Sequence, residues 1–178
     1  FGNCPVEGYN KAVMNANDDY ARSGLRVLAV AVRYISRDMN LPTALSAYTP
    51  ELIEQDLTFV GLIAMADPPR LEVTDAVELC HKANIRIIMI TGDYGLTAES
   101  IARRIGIVQG EHPRVISGVE LEEMPEEDLK EALKDEVIFA RVAPEQKYRV
   151  VCSLQEMGNI VAVTGDGVND APALKKAD

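Results

Sequence analysis

Apolar positions along this chain recur with two different periods, and their order predicts most of the elements. Val6, Tyr9, Val13 and Tyr20 stand among polar residues between Pro5 and Gly24, which predicts a helix stopped by the glycine. Leu25 to Ile35, LRVLAVAVRYI, reads as a strand. Tyr48 to Gln55 predicts a short helix with Thr49 at the N-cap and Pro50 at the first helical position. Leu57 to Met65 is a second strand-like run, so these elements form an α+β unit. Two prolines in Asp67-Pro68-Pro69-Arg70 then end any strand ladder, which places a boundary between residues 1–66 and 67–178.

Beyond that boundary strands and helices alternate. Val73, Ala76, Val77 and Cys80 share a helical face, and Ile85 to Ile90 is a nearly all-apolar strand. Leu96 to Ile107 predicts a helix ending at Gly106, Val137 to Ala140 a strand, Pro144 to Met157 a helix, and Ile160 to Val163 a strand buried on both faces. A further helix begins near Ala171. This alternation implies an α/β fold, a Rossmann-like parallel sheet with helices on both faces, and ligands bind such sheets at the carboxyl ends of the strands.

Those ends carry the candidate chemistry. The strand at Ile85 to Ile90 runs into Thr91-Gly92-Asp93, and the one at Ile160 to Val163 runs into Thr164-Gly165-Asp166-Gly167 and then Asn169-Asp170. Hydroxyls and free N–H groups there suit a phosphate, and the carboxylates of Asp166 and Asp170 are the hard oxygen ligands that Mg²⁺ prefers. Alone, the second of these stretches reads as an acidic turn capping the next helix, and Lys147 alone reads as a surface lysine. Lys147 falls in the first turn of the helix after Val137 to Ala140, however, and there it supplies the cation that a phosphate site needs.

Composition changes this picture little. The chain has 178 residues, 47% of them hydrophobic, and its longest uncharged apolar run, Phe59 to Ala66, is far shorter than a membrane span requires. Of the formal charge of −10, a net −7 lies between Glu120 and Glu136, so the acidity is assigned to one solvated helix face and not to a partner. Nucleic acid is not expected as a ligand. Cys4, Cys80 and Cys152 are scattered without a CxxC spacing, which fits reduced thiols, and with only His81 and His112 a zinc site is not expected.

The run TGDGVNDAPALKKAD from Thr164 to Asp178, with Asp67-Pro68-Pro69-Arg70, Thr91-Gly92-Asp93 and Phe139-Ala140-Arg141-Val142 leading to Lys147, resembles the P-type cation-transporting ATPases. The resemblance is to the branch of the calcium and sodium/potassium pumps. It implies a phosphorylation domain of the haloacid dehalogenase superfamily over 67–178, and over 1–66 the last part of a nucleotide-binding domain. It further implies ATP as substrate and Mg²⁺ as cofactor. In the implied roles Thr91 and Gly92 hold the transferred phosphoryl group, with Asp93 supporting them or capping the next helix, and Lys147 neutralises its oxygens. Asp166 and Asp170 hold Mg²⁺, Asn169 positions the phosphate with Asp170, and Arg26 and Arg141 contact the nucleotide.

The same resemblance exposes a departure. The Asp-Lys-Thr-Gly-Thr motif whose aspartate such pumps phosphorylate does not occur in these 178 residues, nor does their Lys-Gly-Ala nucleotide segment. The chain is therefore expected to be a cytoplasmic-face piece of a pump, inactive alone, whose partners are the nucleophile segment, the actuator domain and the membrane helices. An unpaired strand edge offers self-association as a further expectation. Two other readings stay open: a non-catalytic nucleotide or Mg²⁺ module, and a soluble phosphatase of the same superfamily.

Overall fold

The computed structural model describes residues 6–36, 42–165, 167 and 170–178, so Cys4, Pro5, Asp166 and Asn169 lie outside the described residues. The first helix, α1 (Val6–Arg22), ends as the sequence predicts. Gly24 takes a positive φ of 76°, and the Leu25 amide reaches back 3.1 Å to the Tyr20 carbonyl, which turns the chain into β1 (Arg26–Val32). The short helix α2 (Pro50–Ile53) is narrower than the expected 48–55, and Thr49 precedes it without a side-chain cap bond. Arg33 holds it instead, donating to the Leu52 carbonyl at 2.6 Å. Strand β2 (Thr58–Met65) pairs antiparallel with β1, with Arg26 opposite Met65 and Leu28 opposite Ile63, and a bulge interrupts the ladder between Val30 and Ala31.

After the prolines come α3 (Glu72–Lys82), β3 (Met89–Ile90), α4 (Gly95–Arg104) and β4 (Arg114–Ser117). Next are α5 (Gly118–Glu123), α6 (Glu126–Ala132), β5 (Val137–Ala140), α7 (Pro144–Glu156) and α8 (Ala171–Lys176). The parallel sheet has the order β3-β5-β4, with β5 buried along its whole length. Because side chains alternate across a strand, Val137 and Phe139 pack with Leu121, Leu129, Val150 and Val151, while Ile138 packs with Ala98 and Ala102. Helices α5 to α7 thus cover one face and α4 the other, which is the architecture the alternation predicts.

Three expectations are corrected. Ile160 to Val163 is not a strand: Ile160 is 91% exposed, and the Val161 amide and carbonyl bond to Asp178 at 3.0 and 2.9 Å instead of to a neighbouring strand. An apolar run is a strand only where a ladder partner lies alongside, and none does among the described residues. Ile85 to Ile90 shrinks to Met89–Ile90 for the same reason. The acidic segment is also not one solvated helix. It breaks at Met124-Pro125 into α5 and α6, and Leu121, Leu129 and Leu133 are fully buried beneath the charged face. Strand β4 was not anticipated at all.

The acidic helices are tied to α7 by Arg149, which donates to the Leu121 carbonyl at 2.5 Å and the Met124 carbonyl at 2.6 Å, filling acceptors at the end of α5. Its Nε lies 3.3 Å from Glu126, whose carboxylate also accepts from the buried Ser153 hydroxyl. That hydroxyl first, and Arg149 with it, holds the Glu126 carboxyl below the ordinary glutamate value of 4.5 against the opposing effect of burial. A lowered folded-state pKa stabilises above the unfolded value and is lost as the pH falls through the folded one. Glu126→Gln is therefore expected to cost about 0.5–1 kcal/mol at neutral pH, since the pair is half exposed. Urea midpoints of the two proteins should converge as the pH falls below the ordinary glutamate value of 4.5, and a gap that stays constant with pH would contradict the assignment.

Gly118 gives a second prediction. A Cβ there would lie 2.3 Å from the Arg141 carbonyl oxygen, and the Gly118 carbonyl accepts from Gln146 at 2.7 Å. Gly118→Ala must push backbone apart and should destabilise by about 1–3 kcal/mol in the same urea titration.

Candidate functional site

The backbone continues to pair beyond the strand ends, and this fixes the loops that carry the candidate residues. The Thr91 amide donates to the Phe139 carbonyl at 2.9 Å, Val142 to the Thr91 carbonyl at 3.1 Å, and Arg141 to the Asp93 carbonyl at 3.0 Å. Arg141 adopts a left-handed φ of 54°, uncommon for a residue with a side chain, and its guanidinium sits 4.8 Å from the centre of the Tyr94 ring.

Within the first loop Thr91 and Asp93 close on each other. The Asp93 amide donates to the Thr91 hydroxyl at 3.1 Å, and that hydroxyl donates to the Asp93 carboxylate at 3.2 Å. Asp93 thus supports Thr91 and does not cap α4, whose N-cap position is Tyr94 without a side-chain cap bond. Between them Gly92 is exposed, and open space lies where its Cβ would stand.

Lys147, on the first turn of α7, meets Asp170 just before α8. Their charged atoms are 2.6 Å apart, with the side chains only 19% and 14% exposed. The other Asp170 oxygen accepts from the Gly167 amide at 3.3 Å. The Lys147 ammonium, helped by that amide, keeps the Asp170 carboxyl below the usual aspartate range although burial pushes the other way. Asp170 makes no side-chain cap bond to α8, so the plain helix-cap reading does not describe it. Gly165 is required here, because a Cβ on it would lie 2.7 Å from the Asp170 carboxylate.

Arg26, at the start of β1, faces a separate cleft of about 240 Å³. Gly92, Asp93, Tyr94, Arg141 and Asn17 of α1 line it as well. The structure therefore brings Arg26, Arg141, Gly92 and Asp93 to one cleft, and Lys147 and Asp170 to an ion pair that does not line it; Thr91 joins the two loops through backbone bonds. Among the described residues no group of three or more His, Cys, Asp or Glu side chains is gathered as a metal site, and Asp166 and Asn169 lie outside them. A larger cleft, about 320 Å³, opens at the amino ends of β3 and β5 beside His81, Arg86 and Glu136, and none of the expected site residues lines it.

Sequence reasoning missed Tyr94. Its hydroxyl donates to Asp18 of α1 at 3.1 Å, a partner 76 positions away that no local spacing could reveal. Burial first, then Asp18, raises the Tyr94 pKa, so the phenol stays protonated as a donor. Gln155 and Asp178 were missed too. Gln155 donates at 3.0 Å both to the Lys176 carbonyl and to the Asp178 carboxylate, fixing the far end of α8 on α7.

Residues 5–178 match the haloacid dehalogenase-like hydrolase family. A cation-transporting ATPase of Synechocystis is 47% identical over 161 residues, covering 90% of this chain and 17% of that protein. A calcium-transporting ATPase of Listeria monocytogenes is 45% identical over 165 residues, covering 91% and 18%. A potassium-transporting ATPase alpha chain of Xenopus laevis is 40% identical over 209 aligned residues, covering 97% and 19%. The chain thus spans less than a fifth of the length of these curated relatives. Matched over nearly its full length, and built as a parallel sheet between helices, the chain belongs to the haloacid dehalogenase-like hydrolases.

Proposed function

We propose that this chain is part of the phosphorylation machinery of an ATP-driven P-type cation pump, with residues 1–66 contributing to its nucleotide-binding domain and 67–178 to its phosphorylation domain. The observation that carries the reading is the Lys147–Asp170 contact at 2.6 Å, a largely buried ion pair where the first turn of α7 meets the start of α8. The similarity to proteins described as cation-, calcium- and potassium-transporting ATPases supports it.

In this reading Arg26 and Arg141 hold ATP in the cleft, and the open Gly92 with the Thr91 hydroxyl receives the phosphoryl group. Lys147 turns from Asp170 toward the phosphoryl oxygens as charge develops on them. Mg²⁺ would be held beside Asp170, whose carboxylate supplies the hard oxygens that the ion prefers. Asp166 and Asp170 would hold the ion and Asn169 would orient the phosphate. When bound, Mg²⁺ supplies charge neutralisation for the transferred group. The nucleophilic aspartate would come from a segment outside these 178 residues, entering beside β3 and the exposed run at Ile160. Alone, the chain is then not expected to turn over ATP. Actuator domain and membrane helices complete the assembly, with this part on the cytoplasmic side.

In the intact ATPase, Lys147→Ala and Asp170→Asn should each lower acid-stable phosphorylation from ATP by about 100-fold or more per molecule of folded protein. Phosphoenzyme at the wild-type level in both variants would overturn the reading, as would hydrolysis of a simple phosphomonoester by the 178-residue chain.

A further inference from the structure

Helix α4 carries a polar face turned to the corner between α1 and β1. At its start Tyr94 bonds to Asp18 at 3.1 Å, one turn on the buried Thr97 hydroxyl donates to the Leu25 carbonyl at 3.3 Å, and at its end Arg104 donates to the Ser23 carbonyl at 3.1 Å. The three bonds seat that corner, and with it Arg26, against the loop that holds Gly92 and Asp93. Tyr94 alone of the three also touches a cleft arginine, through the Arg141 guanidinium 4.8 Å above its ring. Among the described residues neither Arg26 nor Arg141 makes an ion pair, so both guanidinium groups are free to meet an anion in the cleft.

We propose that Tyr94 is a positioning residue for nucleotide. Its ring holds Arg141 over the cleft while its hydroxyl, tethered to Asp18, keeps the ring and the α1–β1 corner in one register, so the two arginines converge on the same phosphate chain. Arg141 needs such a hold because its backbone is left-handed and its side chain is exposed. A lysine or a short side chain at Arg141 would not stack on the ring in this way. The inference rests on the nucleotide reading of the cleft given above, and adds to it a residue that acts through Arg141 and does not itself bind the anion.

The test is titration calorimetry of the 178-residue chain with a non-hydrolysable ATP analogue and Mg²⁺, together with thermal melting of each variant. Tyr94→Leu should weaken binding about fivefold through the lost ring contact. Tyr94→Phe, which keeps the ring, and Asp18→Ala should each weaken it about twofold to threefold, and their double variant should be no worse than either alone. In an Arg141→Ala background Tyr94→Leu should lose only the roughly twofold to threefold share carried by its hydroxyl, because the ring contact is already gone. A merely structural tyrosine would lower the melting temperature and leave affinity alone, or would add its full effect in the Arg141→Ala background; either result overturns the proposal. If Arg26→Ala and Arg141→Ala weaken binding and Tyr94→Leu does not, the role of Tyr94 fails and the cleft reading stands. If the wild-type chain binds no nucleotide, both fall.

Discussion

The Lys147 ammonium and the Asp170 carboxylate meet 2.6 Å apart with little access to water, and the carboxyl-terminal part of the structure depends on that contact. A buried charge is costly unless it is paired and its remaining atoms are hydrogen-bonded. Here the Gly167 amide takes the second Asp170 oxygen, and the absent side chain at Gly165 makes room for it. The pair joins the first turn of α7 to the start of α8, and Gln155, eight residues further along α7, reaches the far end of α8 through the Lys176 carbonyl and Asp178. A helix of six residues has little stability of its own, so α8 is held because it is pinned at both ends. In the proposed reading the lysine is thereby held at the phosphoryl site, with a carboxylate in the place that a phosphoryl oxygen would take.

The second constraint lies between the α1–β1 corner and α4. The α1–β1 corner and α4 are joined by single hydrogen bonds from Tyr94, Thr97 and Arg104, two of them to backbone carbonyls. These bonds contrast with the apolar stack of Phe139, Leu121, Leu129 and Val150 under the sheet. The rigid sheet presents Thr91 and the Arg141 loop, while the corner bearing Arg26 is attached to it by a few bonds. The cleft is lined from both sides, by Asn17 and Arg26 on one and by Gly92, Tyr94 and Arg141 on the other.

Much of this was legible in the sequence wherever the signal was local. The helices at 6–22, 72–82, 95–104 and 144–156 follow apolar periodicity and glycine stops closely, and β5 reads directly from Val137 to Ala140. The site residues stand at loops whose composition marks them. What failed was whatever depended on a distant partner. The apolar runs at Ile85 and Ile160 look like strands, but strand formation needs a ladder, and Val161 spends its backbone groups on Asp178. Conversely, Arg114–Ser117 has no strong apolar pattern and becomes a strand because β5 lies beside it, with Val115 opposite Ile138. The same limit hid Tyr94 with Asp18, and Gln155 with Asp178, since each pair is made by folding and not by spacing.

The central claim is that Lys147 and Asp170 act as one unit, and a double-mutant cycle on folding stability tests it most directly. Lys147→Met and Asp170→Asn each leave the other group buried without its counter-charge, so each should cost about 3 kcal/mol or more. Together they remove both charges, and the double variant should be less destabilised than the sum by at least about 1 kcal/mol. Costs that simply add would show that the two groups do not sense each other, and would contradict the account.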